Sequence, residues 1–149
     1  MKRFFVLVFS FLFFCQKTKV ETIREVVFPE GPLIVESVMC TKIVNGRPYG
    51  ITNEFFLGDT VNLWILWMGM KGKHKINCFW VKPNGEKLAK DSVIVDSDSN
   101  KIVSIFSLVT QGYYLEGEWA VEIYLDKEFY ESHLFYLISS GSNLHKLKW

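Results

Sequence analysis

The sequence is poor in the residues from which catalytic and metal sites are usually built. It has three histidines and three cysteines in 149 residues, and the histidines share no ligand spacing. A zinc site needs three or four converging ligands, so none is predicted. The chain also lacks a G-x-S-x-G elbow, a glycine-rich phosphate loop and a recognisable Cys–His pair. We therefore expect a non-catalytic protein without a cofactor, and keep a small enzyme with an unrecognised site as an alternative.

An excess of charge of one sign is also lacking. The chain has 17 Lys and Arg against 16 Asp and Glu. Without residues 1–14 the count is 15 against 16, a net charge of −1. Nucleic acid binding requires a basic face. A nucleic acid partner is therefore not expected.

Long apolar runs are limited to the N-terminus. Lys2 and Arg3 precede an apolar segment, Phe4 to Phe14, interrupted only by Ser10. Eleven helical residues rise about 16 Å, roughly half of a 30 Å hydrocarbon core. The segment is therefore too short for a membrane span and is typical of a secretory signal peptide, predicted over residues 1–14.

A cysteine directly follows this apolar segment. Leu12 lies three residues before Cys15, and the polar run QKTK follows. This pattern resembles the signal of bacterial lipoproteins, in which the cysteine receives a diacylglyceryl group and becomes the new N-terminus. Phe13 and Phe14 replace the usual small residues, as in the looser signals of spirochaete-type lipoproteins. The resemblance implies a palmitate-type lipid on Cys15, a bilayer as partner, and a tether over residues 15–32.

The resemblance concerns processing and implies a protein of the bacterial cell envelope, lipid-anchored to the inner or outer membrane. A soluble secreted protein and an uncleaved anchor remain the alternatives. The domain that follows is predicted over residues 33–139, with a flexible polar tail over 140–149.

Sustained apolar spacing of three and four residues is absent, which argues against helices. Short β-branched and aromatic segments fill the chain from about residue 33 to residue 138. They predict an all-β antiparallel sandwich or barrel of seven or eight strands. Turn signals separate the strands at Asn45-Gly46, Gly58-Asp59, Pro83-Asn84-Gly85 and Asp126-Lys127.

Alternation within the segments predicts which side chains are buried. One strand is different: residues 60–68 are apolar on both faces, with Trp64, Leu66 and Met68 on the second face. Such a strand is either central and covered on both sides, or it exposes an apolar surface. In the segment KINCFWVK the side chains predicted to face the core are those of Ile76, Cys78 and Trp80. In the segment EWAVEIYL they are those of Trp119, Val121, Ile123 and Leu125.

The segments GDTVNLWILW, CFWVKPNGEK, GEWAVEIYLD and HLFYLI resemble, in their order, the immunoglobulin-like sandwiches of bacterial extracytoplasmic proteins. In those sandwiches a Gly-Asp turn enters an early strand and a tryptophan strand precedes a Pro-x-Gly turn. The resemblance spans roughly 80 residues and implies an immunoglobulin-like β-sandwich. A fold analogy does not carry a function.

The two remaining cysteines, Cys40 and Cys78, are both assigned to inward-facing positions. In an oxidising envelope they are expected to form a disulfide closing a loop of about 38 residues. The alternative is two buried free thiols that pack as small hydrophobic side chains.

The acidic segment DSDSN imitates the start of a calcium loop. Lys101 stands where that loop needs glycine, and Ser107 where it needs glutamate. A polar hairpin tip is therefore the preferred interpretation, and no metal is predicted.

Aromatic side chains on outward faces or in loops are the candidate binding residues. Flat rings with a polar edge anchor protein partners or stack on sugars. We therefore expect a domain that binds a protein or another envelope partner, and keep a carbohydrate-binding module as the alternative. The candidates are Trp64, Tyr113, Tyr114, Tyr124, Tyr130 and Tyr136.

Overall fold

The structure is a computed structural model that describes residues 30–141. Within that range the chain forms nine strands and no helix. The predicted signal peptide, Cys15 and most of the tether lie outside the described residues, as do residues 142–149 of the predicted tail. The strands are β1 (Leu33–Val44), β2 (Arg47–Ile51), β3 (Glu54–Phe56), β4 (Thr60–Met68), β5 (Gly72–Val81), β6 (Lys87–Ser97), β7 (Lys101–Val109), β8 (Gly117–Leu125) and β9 (Glu128–Ile138).

The strands form two sheets that pack face to face. One has four strands in the order β2-β1-β4-β7, and the other has five in the order β3-β9-β8-β5-β6. All neighbours are antiparallel except β3 and β9. The three-residue β3 brings the count to nine, above the predicted seven or eight. The predicted all-β, immunoglobulin-like sandwich is confirmed.

Two predicted turns join neighbouring strands as expected. Asn45 and Gly46 have φ angles of 50° and 73°, and Asp126 and Lys127 have 49° and 78°. Two residues with positive φ match the twist of the flanking strands, so each pair makes a tight hairpin. The DSDSN segment was expected to be a hairpin tip. This expectation is wrong, because β6 and β7 belong to different sheets and the segment crosses between them.

The core lies between the sheets and is rich in aromatic rings. The inward side chains predicted for β5 and β8 are buried in it. Phe135 is at its centre: its ring contacts Phe55, Trp80 and Trp119 at centroid distances of 6.0, 6.0 and 6.2 Å. Each indole N–H of the core tryptophans donates a hydrogen bond: Trp67 to Ser104 Oγ, Trp80 to Asp91 Oδ2 and Trp119 to the Leu115 carbonyl.

The predicted disulfide is absent, and both Cys40 and Cys78 are free and buried. Cys78 belongs to the core, whereas Cys40 pairs directly opposite Asn62. Directly paired residues share a face, and Asn62 alternates with the core residues of β4, so Cys40 lies on the outer face. A bulge between Ile34 and Glu36 is the cause, because one extra residue reverses every later side chain of the strand.

Candidate functional site

The outer face of the four-stranded sheet is unusually apolar. Its centre is Trp64 on β4, which pairs directly with Val38 on β1 and Ile105 on β7. The next position on the same face is Leu66, which pairs with Val103. β4 is therefore central and apolar on both faces. The sequence left two possibilities for this strand: it is central and covered on both sides, or it exposes an apolar surface. Both apply in part, because β4 is central but its second face is only partly covered.

The cover comes from the hairpin formed by β1 and β2. Its tip folds back over the sheet, and the Trp64 indole N–H donates a hydrogen bond of 2.8 Å to the Gly46 carbonyl. Gly50 permits the close approach of the two strands, because its φ is 64° and a Cβ there would overlap the Thr41 hydroxyl. Glycine adopts this backbone conformation without a steric cost. Trp64 is thereby only 7% exposed.

The hairpin and the sheet enclose a groove of about 620 Å³. Trp64, Leu66 and Val103 form its floor, and the hairpin residues 45–49 form a wall. Its charged lining consists of two cations, Arg47 and Lys101, and one acid, Glu36. We call this site the sheet groove. Its combination of an apolar floor with a few polar groups at the margin is typical of sites that bind a ligand.

A second polar site lies where the two sheets meet at their β1 and β9 sides. The Ser37 hydroxyl lies 2.7 Å from His133 Nε2, and Glu131 Oε1 lies 2.9 Å from the same nitrogen. Burial raises the pKa of Glu131, but the hydrogen bonds from His133 and Ser37 outweigh it and lower the pKa overall. Ser37 and His133 also line a recess of about 370 Å³.

This cluster differs from the serine–histidine–acid arrangement of hydrolases. There the serine and the acid contact different ring nitrogens, so that the acid orients the histidine as a base. Here both partners contact Nε2 of His133. The geometry makes the cluster a polar link between the sheets. Sequence reasoning missed it because Ser37 and His133 are 96 positions apart and neither lies in a recognisable motif.

The candidate aromatic residues are distributed over several parts of the sandwich. Trp64 is the floor of the sheet groove. Tyr130 lies between the sheets, where its ring packs on Trp67 at 5.5 Å and its hydroxyl donates to the Pro32 carbonyl. Burial raises the pKa of Tyr130.

Tyr113 and Tyr114 follow β7 in the loop to β8. Their rings meet edge to face at 5.2 Å, and Tyr114 stacks on Trp119 at 5.6 Å. Tyr113 is 82% exposed. With Lys82 and other residues they line a small recess of about 160 Å³ at the end of the sandwich.

Tyr124 and Tyr136 lie on the outer face of the five-stranded sheet. The Tyr124 ring contacts Phe79 at 5.4 Å and Phe129 at 5.6 Å. The Tyr136 hydroxyl donates a hydrogen bond of 2.6 Å to Glu118, which raises the pKa of Tyr136. Of the six candidates, all within the described range, only the neighbours Tyr113 and Tyr114 make a ring contact with one another.

The remaining polar groups of interest are His74 and Asp126. His74 Nδ1 lies 2.7 Å from Asp126 Oδ2, and the Lys75 amide donates to the other carboxylate oxygen. This contact raises the pKa of His74 and lowers the pKa of Asp126. Residues 30–141 contain no group of three or more His, Cys, Asp and Glu side chains placed to hold a metal ion. Nor does that range include a helix with the length and apolar composition of a membrane span.

Comparisons with known proteins bear on the fold. No family model and no curated protein matches the sequence. Among solved structures, the C-terminal domain of Wzt is similar, with 9% identity and a TM-score of 0.51; the match covers 75% of this chain and 76% of that one.

Two further structures give lower TM-scores. An immunoglobulin-like protein of Pseudomonas aeruginosa has 13% identity and a TM-score of 0.46, covering 72% of this chain and 96% of that one. The alkylpurine DNA glycosylase AlkC of Pseudomonas fluorescens, in a complex with DNA, has 14% identity and a TM-score of 0.46. That match covers 70% of this chain but only 31% of the glycosylase. At these identities the comparisons concern the fold alone.

Proposed function

We propose that this chain is an exported, lipid-anchored and non-catalytic binding domain, and that the sheet groove receives an extended segment of a partner protein. The observation that carries the proposal is the groove itself: a nearly buried tryptophan at its floor, a folded-back hairpin as its wall and a volume of about 620 Å³. Tryptophan at the centre of a recess, surrounded by apolar contacts, is a frequent anchor of protein interfaces.

The exposed side chains around the groove support a protein as the ligand. Val103 is 44% exposed on the floor and Tyr49 is 54% exposed on the wall. Arg47 and Lys101 outnumber Glu36, so the groove favours a segment with apolar side chains and an acidic residue.

The neighbouring strand edge offers a second element of recognition. β7 is the last strand of its sheet, and of its nine residues only Lys101 is charged. Natural edge strands are usually protected by charges or proline. A partner strand could pair with β7 and direct alternate side chains toward the groove, which is the common β-augmentation mode of peptide recognition.

The export and the lipid anchor are supported by the sequence of residues 1–19. Two or three acyl chains hold a small domain durably on a membrane, whereas a single chain holds it marginally. The described part of the chain begins at the entrance to β1, so a tether from Cys15 would lead into the four-stranded sheet, which contains the groove.

The groove is tested by site-specific photo-crosslinking in an expressing bacterium. A photoreactive phenylalanine analogue at Val103 should give a defined protein adduct, whereas the same analogue at Ile94 should not. Ile94 is a suitable control because it is 62% exposed on the other sheet. The substitution Arg47→Glu should weaken the Val103 adduct by reversing a groove charge. Equal adducts at both positions, or a Val103 adduct unaffected by Arg47→Glu, would contradict the proposal.

A carbohydrate is the second candidate ligand, and one observation favours it. The recess beside Tyr113, Tyr114 and Trp119 is of the size of a single sugar ring, and Tyr113 is largely exposed at its margin. A glycan array with the wild type and with Tyr113→Ala tests this candidate. Retained binding in the variant, or no binding by either protein, would exclude this recess as a sugar site.

A further inference from the structure

The lysines of the chain are unevenly distributed. Residues 71–90 contain six lysines and one acid, Glu86, although the whole chain is nearly neutral. This segment covers β5, its turn and the start of β6, at one side of the five-stranded sheet. The outer face of that sheet has a cleft of about 270 Å³, which we call the lysine cleft. It is lined by Asn77, Phe79, Lys87, Lys90, Tyr124 and Lys127.

Aromatic rings hold two of these lysines in place. Lys87 Nζ lies 4.0 Å from the centre of the Phe79 ring and 5.4 Å from that of Tyr124. Lys90 Nζ lies 5.3 Å from the Phe79 ring centre. A cation above a ring face is attracted by the ring quadrupole. The ammonium groups are therefore positioned before any ligand arrives.

An amide that faces the cleft completes the set of donors. Asn77 is only 6% exposed, and its Oδ1 accepts a hydrogen bond of 2.8 Å from the Ser92 hydroxyl. The Asn77 amide N–H₂ group has no hydrogen-bond partner in the described part of the chain. No buried side-chain nitrogen or oxygen of residues 30–141 lacks a partner, so this N–H₂ group is open to solvent in the cleft. A ligand in the cleft can therefore accept a hydrogen bond from it.

The charges indicate which acceptor fits. Three lysines and no acid line the lysine cleft, and Lys87 forms an ion pair of 3.3 Å with Glu122 beside it. The three lysines together with this one acid carry a net charge of +2. A phosphate monoester carries about two negative charges near neutral pH and has several strong acceptor oxygens. We propose that the lysine cleft binds a phosphate group, free or as the monoester of a lipid headgroup, with Asn77 Nδ2 and the Lys87, Lys90 and Lys127 ammonium groups as donors.

The test is isothermal titration calorimetry on the full chain in nonionic detergent at pH 7.5 and low salt. The probes are inorganic phosphate and glycerol 3-phosphate, the headgroup of phosphatidic acid. The variants Lys90→Met and Asn77→Asp should each weaken binding about tenfold or more, the usual effect of losing a charge-assisted hydrogen bond. Asn77→Asp keeps the acceptor for Ser92 but places a negative charge in the cleft.

The matched control is Lys42→Met, which removes an exposed lysine from the other sheet and should leave binding unchanged. Tighter binding of glycerol 3-phosphate would identify an ester as the ligand, and equal or tighter binding of inorganic phosphate would identify the free ion. If neither probe binds, or if Lys42→Met weakens binding as much as Lys90→Met, the proposal is wrong. If Asn77→Asp fails to fold, the proposal is tested by comparing phosphate binding of Lys90→Met with that of Lys42→Met.

Discussion

Chemical reduction should leave the stability of this protein unchanged. Cys78 is in the core and Cys40 is on the outer face of the opposite sheet, so no disulfide joins them. A bond closing a loop of about 38 residues would have stabilised the fold by about 4 kcal/mol in the loop-entropy model. Reduction would therefore lower the free energy of unfolding of a disulfide-bonded protein by far more than the error of an unfolding experiment, and would leave that of a disulfide-free protein unchanged.

The assay is urea unfolding of protein isolated from the envelope, with and without dithiothreitol. We expect free energies of unfolding that agree within about 0.5 kcal/mol, the usual size of an effect unrelated to a specific interaction. Alkylation gives a second readout. Burial raises the pKa of Cys40 and of Cys78, so both thiols should react slowly in the native state and quickly in urea. A loss of about 4 kcal/mol on reduction, or no alkylation in urea without reductant, would refute the assignment of Cys40 to the outer face.

Three further effects follow from the packing and the charges. Phe135→Ala should destabilise the fold by about 3–5 kcal/mol in urea unfolding, because the ring is fully buried among three others. Phe129 is exposed on the same strand, so Phe129→Ala should cost less than about 1 kcal/mol. Similar losses in the two variants would contradict the position of Phe135 at the centre of the core. The pKa of His74 is raised and that of Asp126 is lowered, so their contact stabilises the fold most between the ordinary values of 3.8 and 6.5. This stabilisation fades as the pH rises through the raised pKa of His74 or falls through the lowered pKa of Asp126. His74→Gln should therefore cost most stability near pH 5 and progressively less above pH 7 in pH-dependent unfolding, and a cost independent of pH would contradict this. Gly69→Ala should lower the thermal midpoint by several degrees, because a Cβ at its φ of 74° would overlap a backbone carbonyl, and an unchanged midpoint would contradict that contact.

The sequence predicted those parts of the fold that depend on short-range patterns. The burial of Trp119, Val121 and Ile123 was predictable because a strand turns alternate side chains to opposite faces. The Asn45-Gly46 turn was predictable because few residue pairs accept two positive φ angles.

The errors come from long-range or irregular features. The bulge after Ile34 has no recognisable sequence signal, yet it reverses the face of Cys40 and removes the disulfide. The parallel pairing of the short β3 with β9 joins segments about 80 residues apart and is not foreseeable from local propensity.

The sheet groove was predictable in part. The two apolar faces of β4 indicated a second buried or exposed surface around Trp64. The fold-back of the hairpin depends on Gly50 and on the hydrogen bond to Gly46, which only the structure reveals. The lysine cleft was overlooked because a nearly neutral total charge conceals the local excess in residues 71–90.

The most direct test of the proposed envelope-anchored binding domain is the intact mass of the protein recovered from membranes, compared between the wild type and Cys15→Ala. We expect a mature wild-type chain that begins at Cys15 and is heavier by at least a diacylglyceryl group, and the loss of that added mass in the variant. A chain cleaved elsewhere without added mass, or an uncleaved chain in the cytosol, would contradict the lipid anchor.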